Sequence, residues 1–184
     1  MRDHRPPGWS YDPSSWSERI PLILLALAGG AIATYLALYQ VGVLTSVWEP
    51  FFGSGSKVIL ESGVSRILPI PDAAVGGAGY LLDAVSGAIG GRGRWRSMPW
   101  IVIVFGIAVG PLGMISILLV ILQPVLFDAW CTLCLASAVI SITMIGPAMD
   151  EVFASLQHLR REHARGRSLW REFWGLRDPM LRAG

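Results

Sequence analysis

IPLILLALAGGAIATYLALYQVGVLTSVW, residues 20–48, runs without a formal charge from just after Arg19 to Glu49-Pro50. A helix needs about 20 apolar residues to cross the hydrocarbon layer of a bilayer, so this stretch reads as a membrane span. A second uncharged stretch covers 97–127, with Pro99 near its start and Pro124 near its end; its span is placed at 97–123. A third span, 129–149, is closed by Pro147 and by Asp150-Glu151. Between them lies AAVGGAGYLLDAVSGAIGG, residues 73–91, apolar but rich in glycine and alanine and interrupted by Asp83. Small residues let helix backbones approach closely inside a membrane, so 73–91 reads as a span packed among the others. Asp83 is costly at membrane depth and either faces a partner or water, or lies near the interface.

The composition agrees with this reading. Of 184 residues 53% are hydrophobic and only 15% charged, against about 45–50% and about 25% in soluble domains. Mean hydropathy is +0.52. A chain this short keeps a large surface, which a soluble fold would have to cover with polar side chains. The first span is too long for a signal-peptide apolar core and is followed by no convincing cleavage site, so it is expected to stay as a helix.

The expected fold is therefore all-α: an integral membrane four-helix bundle with a short helical outer loop and an amphipathic cytoplasmic tail helix. The expected divisions are an N-terminal segment 1–19, a transmembrane domain 20–150 and a basic tail 151–184. Four spans put the N-terminus, the 92–99 loop and the tail on one side. Those segments hold thirteen of the fifteen Lys and Arg residues, leaving only Lys57 and Arg66 opposite. The positive-inside rule then makes both termini cytoplasmic, in the inner (plasma) membrane of a bacterium, and the 49–72 loop faces an oxidising compartment. Positive-inside topology also accounts for the basic residues without nucleic acid, which is not an expected partner.

Both cysteines fall in one motif, Cys131-Thr-Leu-Cys134, at the outer start of the last span. Residues i and i+3 share a helix face, and the dipole at a helix N-terminus lowers a thiol pKa. Such a pair can form and break a disulfide by exchange. Zinc would need about four ligands, whereas His4, His158 and His163 all lie on the cytoplasmic side, so no metal is expected. A c-type haem would need His at 135, which is Leu. Two readings stay open: a redox pair, or two inert cysteines packed as small hydrophobes.

The chain resembles the vitamin K epoxide reductase family of membrane thiol oxidoreductases. SKVILES (56–62) and ILPIPDAAVGGAGY (67–80) are similar to the family's loop serine and the proline leading into a small-residue second helix. WCTLCLASA (130–138) is close to the bacterial form of its active site. The resemblance covers roughly 20–150. It implies a four-helix bundle around a quinone, ubiquinone or menaquinone, with quinone reduction coupled to disulfide formation. It implies Cys134 as the thiolate nearest the quinone, Cys131 as the one exchanging with a thiol-bearing periplasmic donor, and Ser62 near the site. Ser137 and Tyr80 are weaker quinone-pocket candidates, equally readable as helix packing.

One departure stands out. The family usually carries a second cysteine pair in the first outer loop, but EPFFGSGSKVILES (49–62) contains none. Either Cys131 is reached directly by an external thiol, or the chain is a non-catalytic member serving as a structural or quinone-binding subunit of a larger membrane complex. The segment 57–67, with Val58, Ile59 and Ile67, reads as a short helix capping the site or as an ordinary interfacial loop. In the tail, Leu169, Trp170, Phe173, Trp174 and Leu176 recur at helical spacing among arginines. That pattern suits a helix lying on membrane lipid, or a docking surface for complex subunits.

Overall fold

A computed structural model of the protein describes residues 5–63, 65 and 70–176. Expectations resting on Arg2, His4, Arg66, Ile67, Arg177 and Arg182 lie outside the described residues. The described chain is helical: α1 (Trp16–Gln40), α2 (Gly55–Leu60), α3 (Asp72–Ala88), α4 (Arg94–Ser97), α5 (Pro99–Phe127), α6 (Thr132–Ala164) and α7 (Leu169–Phe173). The all-α membrane class is borne out. Three of these helices, α1, α5 and α6, are long and apolar enough to cross a membrane. The fourth expected span is α3, whose 17 residues sit at the lower limit of roughly 17–25 for a crossing.

The four long helices close into a ring, α1 against α3 and α6, and α5 against α3 and α6. Leu22, Ala26, Ala33, Tyr80, Ala84, Phe105, Val109, Met144 and Ala148 form its core. Large apolar side chains also cover the outside, among them Leu24, Leu27, Ile107, Met114, Leu118 and Val139. An apolar exterior is what lipid, rather than water, requires. Glycine lets α5 and α6 close up: a Cβ on Gly106 would lie 2.3 Å from Val152 Cγ2, and one on Gly113 2.5 Å from Ile145 Cδ1.

Three boundaries differ from the hydropathy reading. Helix α1 stops at Gln40, not 48, because Gly42 takes φ 79° and wraps the chain back. The amide of Val43 bonds the Leu38 carbonyl and that of Gly42 the Tyr39 carbonyl, the six-to-one and five-to-two pairing that ends a helix. Apolarity does not register that stop, so 41–48 is an apolar loop. At the other end α6 runs unbroken through Asp150 to Ala164, 33 residues or roughly 50 Å at 1.5 Å each. The tail begins inside a helix, and its expected amphipathic helix is reduced to the five residues of α7. The short outer helix lies at 55–60 rather than 57–67.

Contacts between helix ends set the topology. At one end Arg19 of α1 donates to the carbonyl of Gly87 in the last turn of α3 and to those of Ile89 and Gly90 just past it. Arg94 joins them, donating to Ser86 and Ile89 carbonyls and pairing with Glu151 through Nε at 2.6 Å and Nη2 at 2.5 Å. Ser14 bonds the same carboxylate, and Trp9 bonds Gln157. The N-terminal segment, α4 and the C-terminal half of α6 therefore meet at one end, and an even number of passes separates them. Helix α3 traverses the bundle with the other three. Arg19 and Arg94, counted from sequence among the basic residues of the cytoplasmic side, are fully buried and tie up the carbonyls at the end of α3. Asp83 is buried as well, and neither of its carboxylate oxygens has a hydrogen-bond partner among the described residues.

Candidate functional site

The opposite end carries the cysteines. Cys131 caps α6: its backbone is extended, and its Sγ accepts the Cys134 amide at 3.1 Å. The two sulfurs form a disulfide with Cα atoms 5.2 Å apart. Cys131 is fully buried, while Cys134, one turn into the helix, is half-buried.

Cys134 lines a cavity of about 270 Å³ enclosed by all four long helices and α2. Ser62, Tyr80 and Ser137 line it too, so the cavity brings together Cys134 and the three proposed quinone contacts. Cys131 is not among the lining residues. The walls are otherwise mostly apolar, with Leu36, Leu60, Leu112, Leu119 and Phe127. A concave apolar site with a few polar groups suits a small organic ligand. Tyr80 reaches from α3 across to α6, where its hydroxyl meets the Ser137 carbonyl at 2.7 Å, the Ser137 hydroxyl at 2.9 Å and the Ser141 hydroxyl at 2.6 Å. It crosses because α1 presents Gly29 beneath the ring; a Cβ there would fall 2.4 Å from Tyr80 Cζ. Ser62 Oγ accepts the Ser65 amide at 3.4 Å.

The structure adds residues that the sequence reading passed over. Gln123, buried near the end of α5, accepts the Cys131 amide through Oε1 at 3.0 Å and also lines the cavity. The amide oxygen keeps a second lone pair and the amino group supplies two donors. A glutamine in the uncharged 97–127 stretch was a readable signal, since an amide in hydrocarbon is costly without a partner. Gln40, Ser65 and Asp72 form a second polar knot: Gln40 and Ser65 both donate to Asp72, joining the end of α1 to the start of α3.

Glu49 is the most connected of the missed residues. Its carboxylate accepts the amide of Thr132 at 2.9 Å, the hydroxyls of Thr132 and Ser56, and the amides of Phe51 and Phe52. Burial by itself would raise the Glu49 carboxyl, but these hydrogen bonds outweigh it and bring the pKa down to about 2. Sequence offered only an acid following an apolar run; its partner lies 83 positions away.

No curated protein and no solved structure matches the chain. The vitamin K epoxide reductase family does, over residues 20–148, a range that includes the bundle, the outer loop, the cavity and both cysteines. That range is well over half the chain, and with the ring of membrane helices and the disulfide at its end it makes this protein a member of the vitamin K epoxide reductase family.

Proposed function

We propose that the protein is a quinone-linked thiol–disulfide oxidoreductase in which Cys131 and Cys134 are the redox pair. The observation that carries this reading is the Cys131–Cys134 disulfide with only Cys134 facing the apolar cavity. A donor thiolate attacks Cys131 Sγ, the sulfur–sulfur bond breaks, and Cys134 leaves as thiolate. The donor's second thiol then resolves the mixed disulfide, leaving the donor oxidised and the pair reduced. The reduced pair passes two electrons and two protons to the quinone, which departs as quinol while the disulfide re-forms. Ser62, Tyr80, Ser137 and the Gln123 amide are the polar groups available to quinone carbonyl oxygens.

In this reading residues 20–150 form the catalytic domain. The basic end faces the cytoplasm of a bacterium, and the dithiol end faces an oxidising compartment that holds the thiol donor. The tail, with Trp170, Trp174 and Leu176 exposed beside arginines, rests on anionic lipid. The test of the activity is turnover of the purified protein with a reduced dithiol and a short-chain ubiquinone or menaquinone, followed by quinone absorbance. Cys134→Ala is expected to abolish it, and turnover indifferent to that substitution overturns the assignment.

A second reading, a non-catalytic subunit of a membrane complex, draws on the buried state of Cys131 and the cysteine-free 49–62 loop. Purification in mild detergent separates the two. A stoichiometric partner without thiol oxidation favours the subunit.

A further inference from the structure

Cys131 is the sulfur that an external thiol would have to attack, and no part of it is exposed. What covers this end of α6 is the segment 49–56. Gly55 packs so tightly that a Cβ would lie 2.1 Å from the Trp130 carbonyl oxygen. The Phe52 ring stands 6.4 Å from that of Trp130. The segment is fastened to Thr132, the residue directly after Cys131, by one side chain: Glu49 gathers donors from Phe51, Phe52 and Ser56 on the loop and from the amide and hydroxyl of Thr132 on the helix. The loop that in this family usually carries a cysteine pair is here held down by a carboxylate.

We propose that Glu49 is a positioning residue for thiol exchange: it latches the outer loop over Cys131, so that the disulfide opens only to a dithiol partner able to displace the loop. The natural donor is then a protein whose own surface competes for the loop, and small free thiols are poor donors. This rests on the reading of Cys131 as the exchanging sulfur. Exchange and quinone reduction use different faces of the disulfide, so the latch governs the first and leaves the second alone.

The experiment follows the two half-reactions separately in the purified full-length protein. Reduction of the disulfide by dithiothreitol is timed by alkylation and mass shift; reoxidation of the pre-reduced pair by a short-chain quinone is timed by absorbance. Glu49→Ala is expected to speed reduction by at least about tenfold, the factor that losing hydrogen bonds to a charged acceptor gives a local opening. Reoxidation is expected to stay within about twofold of wild type, because the cavity face is untouched. Glu49→Gln, which keeps an acceptor oxygen, is expected to fall between. Gly55→Ala, which forces the loop off Trp130, is expected to act in the same direction and decides the matter if the alanine variant at 49 does not fold. Reduction at the wild-type rate in Glu49→Gln and Gly55→Ala overturns the latch. Pre-reduced wild-type protein that quinone never reoxidises overturns the proposed function instead and leaves the latch standing.

Discussion

The carboxylate of Glu49 works against neutral donors only, so its pH dependence has a definite sign. Its pKa in the folded protein is about 2, below the ordinary 4.5. A lowered carboxylate pKa adds stability that is fully present above the ordinary value and is lost as pH falls through the folded one. Reduction of the disulfide by a phosphine, which needs no thiolate, is therefore expected to stay slow from pH 7 to about 4.5, to accelerate progressively as pH falls below that value and to level off near 2. A rate that stays flat from pH 7 to about 2 would mean a carboxylate that titrates alike in the closed and the open loop. Tyr80 poses a different question at the same scale, since its hydroxyl both braces α3 on α6 and borders the cavity. Tyr80→Phe is expected to cost about 1–2 kcal/mol of stability through unsatisfied partners. A rise in quinone KM beyond that loss, with the rate of disulfide reduction unchanged, would mark the hydroxyl as a ligand contact; an unchanged KM would leave it a packing group.

At the scale of helices, close approach is decided by glycines whose spacing looks unremarkable in the sequence. Gly106 and Gly113 on α5 receive Val152 and Ile145 of α6, and Gly29 on α1 receives the Tyr80 ring. The second carbons of valine and isoleucine leave little room to turn away. Gly106→Ala is expected to destabilise the protein by about 1–3 kcal/mol, the usual cost of overpacking, read from thermal unfolding in detergent. Gly146→Ala, with no neighbouring atom within 4 Å of the added Cβ, is the matched control and is expected to be neutral or slightly stabilising. Helix α3 was readable as a helix from its small residues and unreadable as to length, because its end is set by Arg19 and Arg94 taking up its last carbonyls.

Across the whole molecule the two ends are built from different chemistry. The dithiol end is tied by neutral donors gathered on carboxylates, Glu49 and Asp72 among them. The basic end is tied by two buried guanidinium groups, Glu151 and Ser14, which link the N-terminal segment, α3, α4 and α6. Removing one member of a buried ion pair strands the other, so Arg94→Ala is expected to cost about 3–5 kcal/mol. It should also loosen the N-terminal segment, whose Trp95 and Glu151 contacts run through Ser14. Protease sensitivity of residues 5–15 alongside thermal unfolding checks this; a cost below about 1 kcal/mol would mean that water reaches the pair.

By itself the sequence determined the solvent, the all-helical class, the clustering of basic residues in a few segments and the position of the dithiol at a helix start. Each depends on composition or short-range spacing, which a chain carries wherever it folds. The tertiary structure alone decided that Cys134 and not Cys131 meets the cavity, and that Ser62, Tyr80 and Ser137 converge there. It alone decided that two of the arginines are buried, and that Glu49 and Gln123, which lie 83 and 8 positions upstream of their partners, converge on the start of the cysteine helix. Those facts hang on contacts between residues as far as 83 positions apart. No local pattern encodes them, because their energy exists only once the helices have packed.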